Sequence, residues 1–189
     1  MIYRDNKEYS SPSSARNFGV KQSRSKYIVF TDPETLVPFD YLRMAYEFHE
    51  ANKGNWITAF FPLMLTKDDL EKLNKVDWKK DPLLVDGIVT KTSEDNLYVA
   101  KRKTWRDNNF SMFGKESYDK IGGVNESFTK WGYEGIDFVE RMIKIGGCKL
   151  YNFPKLFVYH QWHGLIRDLE KAEYERATFG IKDCGKHDK

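Results

Sequence analysis

Three groups of residues in this 189-residue chain have types and spacing that suit chemistry. The first is Asp32-Pro33-Glu34, which follows the apolar run Tyr27-Ile28-Val29-Phe30. Two carboxylates on either side of one residue can face a single hard cation and leave positions open for phosphate oxygens. Taken alone, the triplet reads first as an acidic turn around a proline. The second group begins at Ile121-Gly122-Gly123-Val124-Asn125-Glu126-Ser127-Phe128 and continues through Lys130-Trp131-Gly132-Tyr133-Glu134-Gly135-Ile136-Asp137. Its glycines permit backbone shapes that other residues resist. Trp131 offers a flat apolar face suited to a sugar ring. Glu134 stands where a helix begins, and the helix dipole there favours an ionised carboxylate. A carboxylate so placed can take the proton of an attacking hydroxyl. Asp137 and Arg141 lie one helical turn apart and are expected to pair on the helix surface. The third group is Val158-Tyr159-His160-Gln161-Trp162-His163. His160 and His163 are spaced for zinc, but no Glu or Cys completes a set at a familiar interval. His49 and His187 read as incidental.

The elements that must position these groups follow from the hydrophobic pattern. Ser13 or Ser14 is expected to cap a helix over Ala15–Gln22. Tyr27–Phe30, continuously apolar, suits a strand buried on both faces, as in a parallel sheet, and Pro33 prevents its continuation. Residues 38–52 carry apolar positions at helical spacing, and Trp56–Leu65 reads as a second strand. The charged stretch Thr66–Asn96 reads as an insertion with a short helix around Lys67–Asn74. A short strand at Phe110–Phe113 precedes a helix at Lys115–Ile121. A helix over Gly135–Ile145 is stopped by Gly146-Gly147, and Leu156–Tyr159 is the last strand. The domain expected is 1–165, with a helix and polar tail over 166–189.

Composition bounds the function class. Apolar residues make up 40% of the chain and aromatic residues 15%, which argues for a folded domain. Thirteen Phe, eleven Tyr and five Trp are enough both for a core and for lining a groove. The net charge of +3 comes from scattered basic residues, too weak a bias for nucleic-acid or membrane-surface binding. Cys148 and Cys184 are the only cysteines and suggest no disulfide framework. No apolar run is long enough to span a bilayer, so a cytoplasmic protein is the expectation.

Ala15-Arg16-Asn17-Phe18-Gly19, a short helix, an apolar strand and then D-x-E form an order that resembles the middle of the metal-dependent, nucleotide-sugar glycosyltransferases of the GT-A type. The later pattern G-G-x-N-E-x-F followed by W-G-x-E resembles the acceptor segment of the galactosyl-, N-acetylgalactosaminyl- and chondroitin-polymerase-type transferases. The resemblance runs from about Tyr9 to His163. It implies an α/β, GT-A mixed sheet flanked by helices. It also implies a sugar transferred from a nucleotide-sugar donor, a UDP-sugar, to a glycan or other hydroxyl acceptor, with inversion. By the same resemblance Asp32, Glu34 and His160 hold Mn²⁺ or Mg²⁺. Arg16 lies near the diphosphate beside Asp32 and Glu34, Glu134 is the base, and Trp131 and Tyr133 shape the acceptor site.

The sequence departs from that pattern at Gly135, where many relatives carry an Asp directly after the Glu. Full-length relatives also have further βα units before the A-R-N-x-G helix, so the chain reads as N-terminally truncated, with Met1–Glu8 able to supply one strand at most. A sheet cut there exposes an edge, and a homo-oligomer or a partner chain is expected to cover it. The alternative reading is a non-catalytic, transferase-like remnant that binds a glycan or serves as an accessory subunit.

Overall fold

The computed structural model describes residues 11–38, 40–77, 83–89, 110–128 and 133–161. The expected tail helix over 166–189, the strand offered by Met1–Glu8, and Trp131, His163, Cys184 and His187 lie outside the described residues.

Helices cover both faces of a mixed sheet. Helix α1 (Pro12–Gln22) is capped by Ser11, not by Ser13 or Ser14: the Ser11 side chain accepts from the Ser14 amide, and Pro12 takes the first helical position, where its missing N–H costs nothing. After α1 come β1 (Tyr27–Phe30), the short β2 (Thr35–Leu36), α2 (Tyr41–Ala51) and β3 (Trp56–Met64). Helix α3 (Lys67–Leu73) begins in a reciprocal capping box between Thr66 and Asp69. Helix α4 (Leu83–Ile88), β4 (Ser111–Gly114), α5 (Lys115–Lys120), α6 (Glu134–Lys144) and β5 (Lys149–His160) complete the described chain.

Among the described residues the strand order is β1-β4-β3-β5-β2. β1 pairs antiparallel with β4, β4 antiparallel with β3, and β3 parallel with β5. The apolar run Tyr27–Phe30 therefore belongs to an antiparallel edge strand and not to a parallel pair. Its continuous hydrophobicity has another cause. Ile28 and Phe30 enter a core under α1, α5 and α6, while Tyr27 and Val29 pack on the opposite core under α2. Both faces are covered, so both sets of side chains are apolar.

β5 is far longer than the expected Leu156–Tyr159. Its register with β3 slips in the middle: Asn152 opposes Ala59 and Phe157 opposes Phe61, so residues 153–156 stand opposite Phe60 alone. A bulge is where a strand tolerates a proline, and Pro154 sits within it. That interruption is why only the second half of the strand is legible in the sequence. The charged insertion likewise contributes to the core, since Val85 and Val89 pack with Leu63, Leu65, Leu73 and Tyr159. No described helix is long and apolar enough to cross a membrane.

Candidate metal and acceptor site

The pairing pattern makes β1, β3 and β5 run in one direction, so the segment after β1 and the end of β5 lie at the same edge of the sheet. Residues beyond the carboxyl ends of strands are where α/β sheets commonly bind ligands. Residues 31–34 leave β1 at one side of the sheet and reach β2 at the other, a short connection that only a curled sheet permits. A turn in which the Thr35 amide donates to the Asp32 carbonyl at 3.0 Å shapes that segment. β2 then pairs with the end of β5, Thr35 opposite His160, and the Gln161 amide donates to the Glu34 carbonyl at 2.9 Å. Two backbone links thus hold Glu34 beside His160.

The side chains follow. One ligand atom each from Asp32, Glu34 and His160 lies within 4.8 Å of the other two. His160 Nε2 is 3.4 Å from Glu34 Oε1, and His160 Nδ1 is 3.0 Å from the Gln161 carbonyl. A carbonyl only accepts, so Nδ1 carries a proton, and Nε2 is the ring nitrogen that faces the carboxylates and is available to a metal. Metal-ligating histidines are commonly oriented in this way. With metal–ligand bonds of about 2.1 Å, neighbouring ligand atoms in an octahedron stand about 3 Å apart, and the 3.4 Å between His160 Nε2 and Glu34 Oε1 is near that spacing. Two hard carboxylates and one imidazole fit Mn²⁺ well and Mg²⁺ less well.

Arg16 ties this cluster to the second group. It reaches the site from α1 and donates through Nη2 to Asp32 Oδ1 at 2.9 Å. Its Nη1 lies 3.8 Å from Glu134 Oε1. The guanidinium carbon sits 5.7 Å from the centre of the Phe30 ring, which gives it an apolar floor. Glu134 is the first residue of α6 and only 5% exposed, so a counter-charge is needed to keep its carboxylate ionised, and Arg16 supplies one. Tyr133 precedes it in the left-handed region, φ 60°, and turns the chain into the helix.

Asp32, Glu34 and His160 therefore form one cluster, and Arg16 joins it to Glu134. Trp131 and His163 fall outside the described residues. Asp137 and Arg141 pair as expected, Arg141 Nη2 being 2.7 Å from Asp137 Oδ2, but the pair is half-buried and does more than decorate a surface. Arg141 Nη1 also donates to the carbonyls of Ile121 and Gly123, at 3.2 and 2.7 Å. His49, which the sequence marked as incidental, is part of the core. It is buried on the inner face of α2 against Tyr27, with Nε2 3.2 Å from both Thr58 Oγ1 and the Met112 carbonyl. No role of its own was assigned to Asn17 from the sequence, yet its side chain holds the Gly-Gly loop through Val124. The one available signal was its place beside Arg16 in A-R-N-x-G.

Comparison with curated proteins gives no match. Residues 108–163, less than a third of the chain, match the family described as the N-terminal domain of galactosyltransferase. That stretch contains β4, the Gly-Gly loop, Glu134 and His160, and its similarity supports a glycosyltransferase-like family for this chain.

Proposed function

We propose that this protein transfers a sugar from a nucleotide-sugar donor, a UDP-sugar, to a glycan or other hydroxyl acceptor, with inversion. The observation that carries the reading is the approach of Asp32, Glu34 and His160 to one another, with Arg16 linking Asp32 to Glu134. Asp32, Glu34 and His160 would hold Mn²⁺ or Mg²⁺, and a cation bound there neutralises charge on the departing diphosphate. Arg16 adds a fixed positive charge on the same side. Glu134 accepts the proton of the acceptor hydroxyl as its oxygen attacks the anomeric carbon and the bond to the diphosphate breaks. Trp131 and Tyr133 shape the acceptor site. A cytoplasmic location, and a second copy or partner chain against β1, belong to the same reading.

A second reading is a glycan-binding or accessory protein without turnover. Gly135 favours it, because it removes the acid that many relatives carry next to Glu134. One experiment separates the two. The purified chain is incubated with Mn²⁺ and a panel of UDP-sugars, and both UDP release and UDP-induced thermal stabilisation are followed. Metal-dependent UDP release that disappears in Asp32→Asn and Glu134→Gln supports transfer. Stabilisation without release supports the second reading, and the absence of both release and stabilisation overturns the nucleotide-sugar assignment.

A further inference from the structure

We propose that Asn17 is a positioning residue for the Arg16–Glu134 pair, an inference that rests on the role given to that pair above. A single side-chain amide meets both backbone groups of Val124. The Val124 amide donates to Asn17 Oδ1 at 2.8 Å, and Asn17 Nδ2 donates to the Val124 carbonyl at 2.8 Å. Nδ2 also donates to Glu126 Oε1 at 2.7 Å, and the Tyr118 hydroxyl donates to Oδ1. Burial pushes the Tyr118 phenol up to about 12, so the hydroxyl keeps the proton it donates. An amide N–H only donates and a carbonyl only accepts, so the orientation of the Asn17 carboxamide follows from its partners. Asp has no donor for the Val124 carbonyl, and Gln is one methylene too long. Gly123 makes the approach possible: a Cβ there would lie 2.7 Å from Asn17 Oδ1.

The same loop is held from its other side by α6. Arg141, anchored by Asp137, donates to the Ile121 and Gly123 carbonyls. The loop is therefore strapped to α1 by Asn17 and to α6 by Arg141. α1 carries Arg16 immediately before Asn17, and α6 begins at Glu134. The two straps set the spacing of the helices, and that spacing sets the 3.8 Å approach of Arg16 to Glu134. The backbone of the Asp32, Glu34 and His160 cluster is held separately, by the turn after β1 and the β2–β5 pairing, although the Arg16 side chain also reaches Asp32. Loss of the Asn17 strap should loosen the Arg16–Glu134 contact and leave that cluster intact.

A measurement that needs no substrate tests this in the full chain. Arg16→Ala, Glu134→Gln and their combination are compared by urea unfolding, in the wild-type background and with Asn17→Ala. The two changes should couple in the wild-type background and become additive when Asn17 is lost. Equal coupling in both backgrounds, or none in either, overturns the proposal. Where Asn17→Ala does not fold, Asn17→Asp serves instead, since it keeps the acceptor for Val124 and Tyr118 and loses only the donors. It should weaken the coupling, and undiminished coupling counts against the idea. Once UDP release is established, Asn17→Ala should lower kcat about a hundredfold at unchanged Mn²⁺ affinity, the scale of a small misplacement near reacting groups. A parallel loss of Mn²⁺ affinity would mark Asn17 as a general structural residue and overturn its specific role. Because the unfolding cycle involves no donor sugar, its failure is separate from a failure of the transfer reading, which shows as absent UDP release.

Discussion

His160 Nε2 and Glu34 Oε1 stand 3.4 Å apart because their backbones are tied: Thr35 opposes His160 in the β2–β5 ladder, and Gln161 donates to the Glu34 carbonyl. The arrangement predates any ligand in the sense that backbone hydrogen bonds, not the side chains, create it. A cation would therefore meet a site already assembled. Mn²⁺ should bind the isolated protein, and Asp32→Asn, Glu34→Gln and His160→Ala should each weaken it about tenfold or more, the range seen when the shell of a metal site is disturbed. Isothermal titration reads this directly. Equal Mn²⁺ affinity in all four proteins would sink the metal site, and a preference for Mg²⁺ over Mn²⁺ would remove His160 from it.

Glu134 is buried at a helix start with Arg16 beside it, a place suited to an ionised base. Glu134→Gln keeps the shape and removes the proton acceptor. UDP release should fall by roughly 10²–10⁴-fold in kcat, the usual contribution of a positioned base, while Mn²⁺–UDP binding is kept. Retained turnover in that variant would move the base elsewhere.

Gly122 and Gly123 both have positive φ, +74° and +83°, but they differ in what surrounds them. A Cβ at Gly122 meets nothing within 4 Å, whereas one at Gly123 meets Asn17 Oδ1 at 2.7 Å and the Tyr118 hydroxyl at 3.2 Å. Each alanine substitution carries backbone strain of about 1–3 kcal/mol, and only the Gly123 variant adds a clash with the Asn17 network. Urea unfolding should show Gly123→Ala as clearly the more destabilised. Equal losses at the two positions would deny the network its tight packing.

His49 gives stability a pH dependence with a defined sign. Burial holds its imidazole below the ordinary value of 6.5, opposed in part by its hydrogen bond to the Met112 carbonyl. Below that ordinary value the unfolded chain takes up a proton at His49 more readily than the folded one. The contribution of neutral His49 is therefore complete above pH 6.5 and is lost as the pH falls beneath it. His49→Gln cannot titrate, so as the pH falls below 6.5 its stability should change less steeply than that of the wild type. Identical slopes in denaturant titrations would show that other groups govern this window.

The sequence alone determined which candidate site residues are available and most of the local structure. Alternation, caps and glycines are local properties, so the helices near α2, α3, α5 and α6 were legible to within a few residues. The Asp32, Glu34, Glu134 and His160 types, at or just beyond the ends of strands and helices, and Arg16 within α1, already limited the possible chemistry. Three things were not local, and only the tertiary structure decided them. Among the described strands β1 is an antiparallel edge strand, which its four apolar residues could not reveal, because either pairing buries both faces. β5 runs through Pro154 on the strength of a bulge whose partner, Phe60, lies far away in the chain. Asn17 and Arg141 clamp the Gly-Gly loop through backbone groups, and a backbone N–H or carbonyl leaves no mark on residue type. Residue identity records which groups are available, and chain topology decides which of them meet.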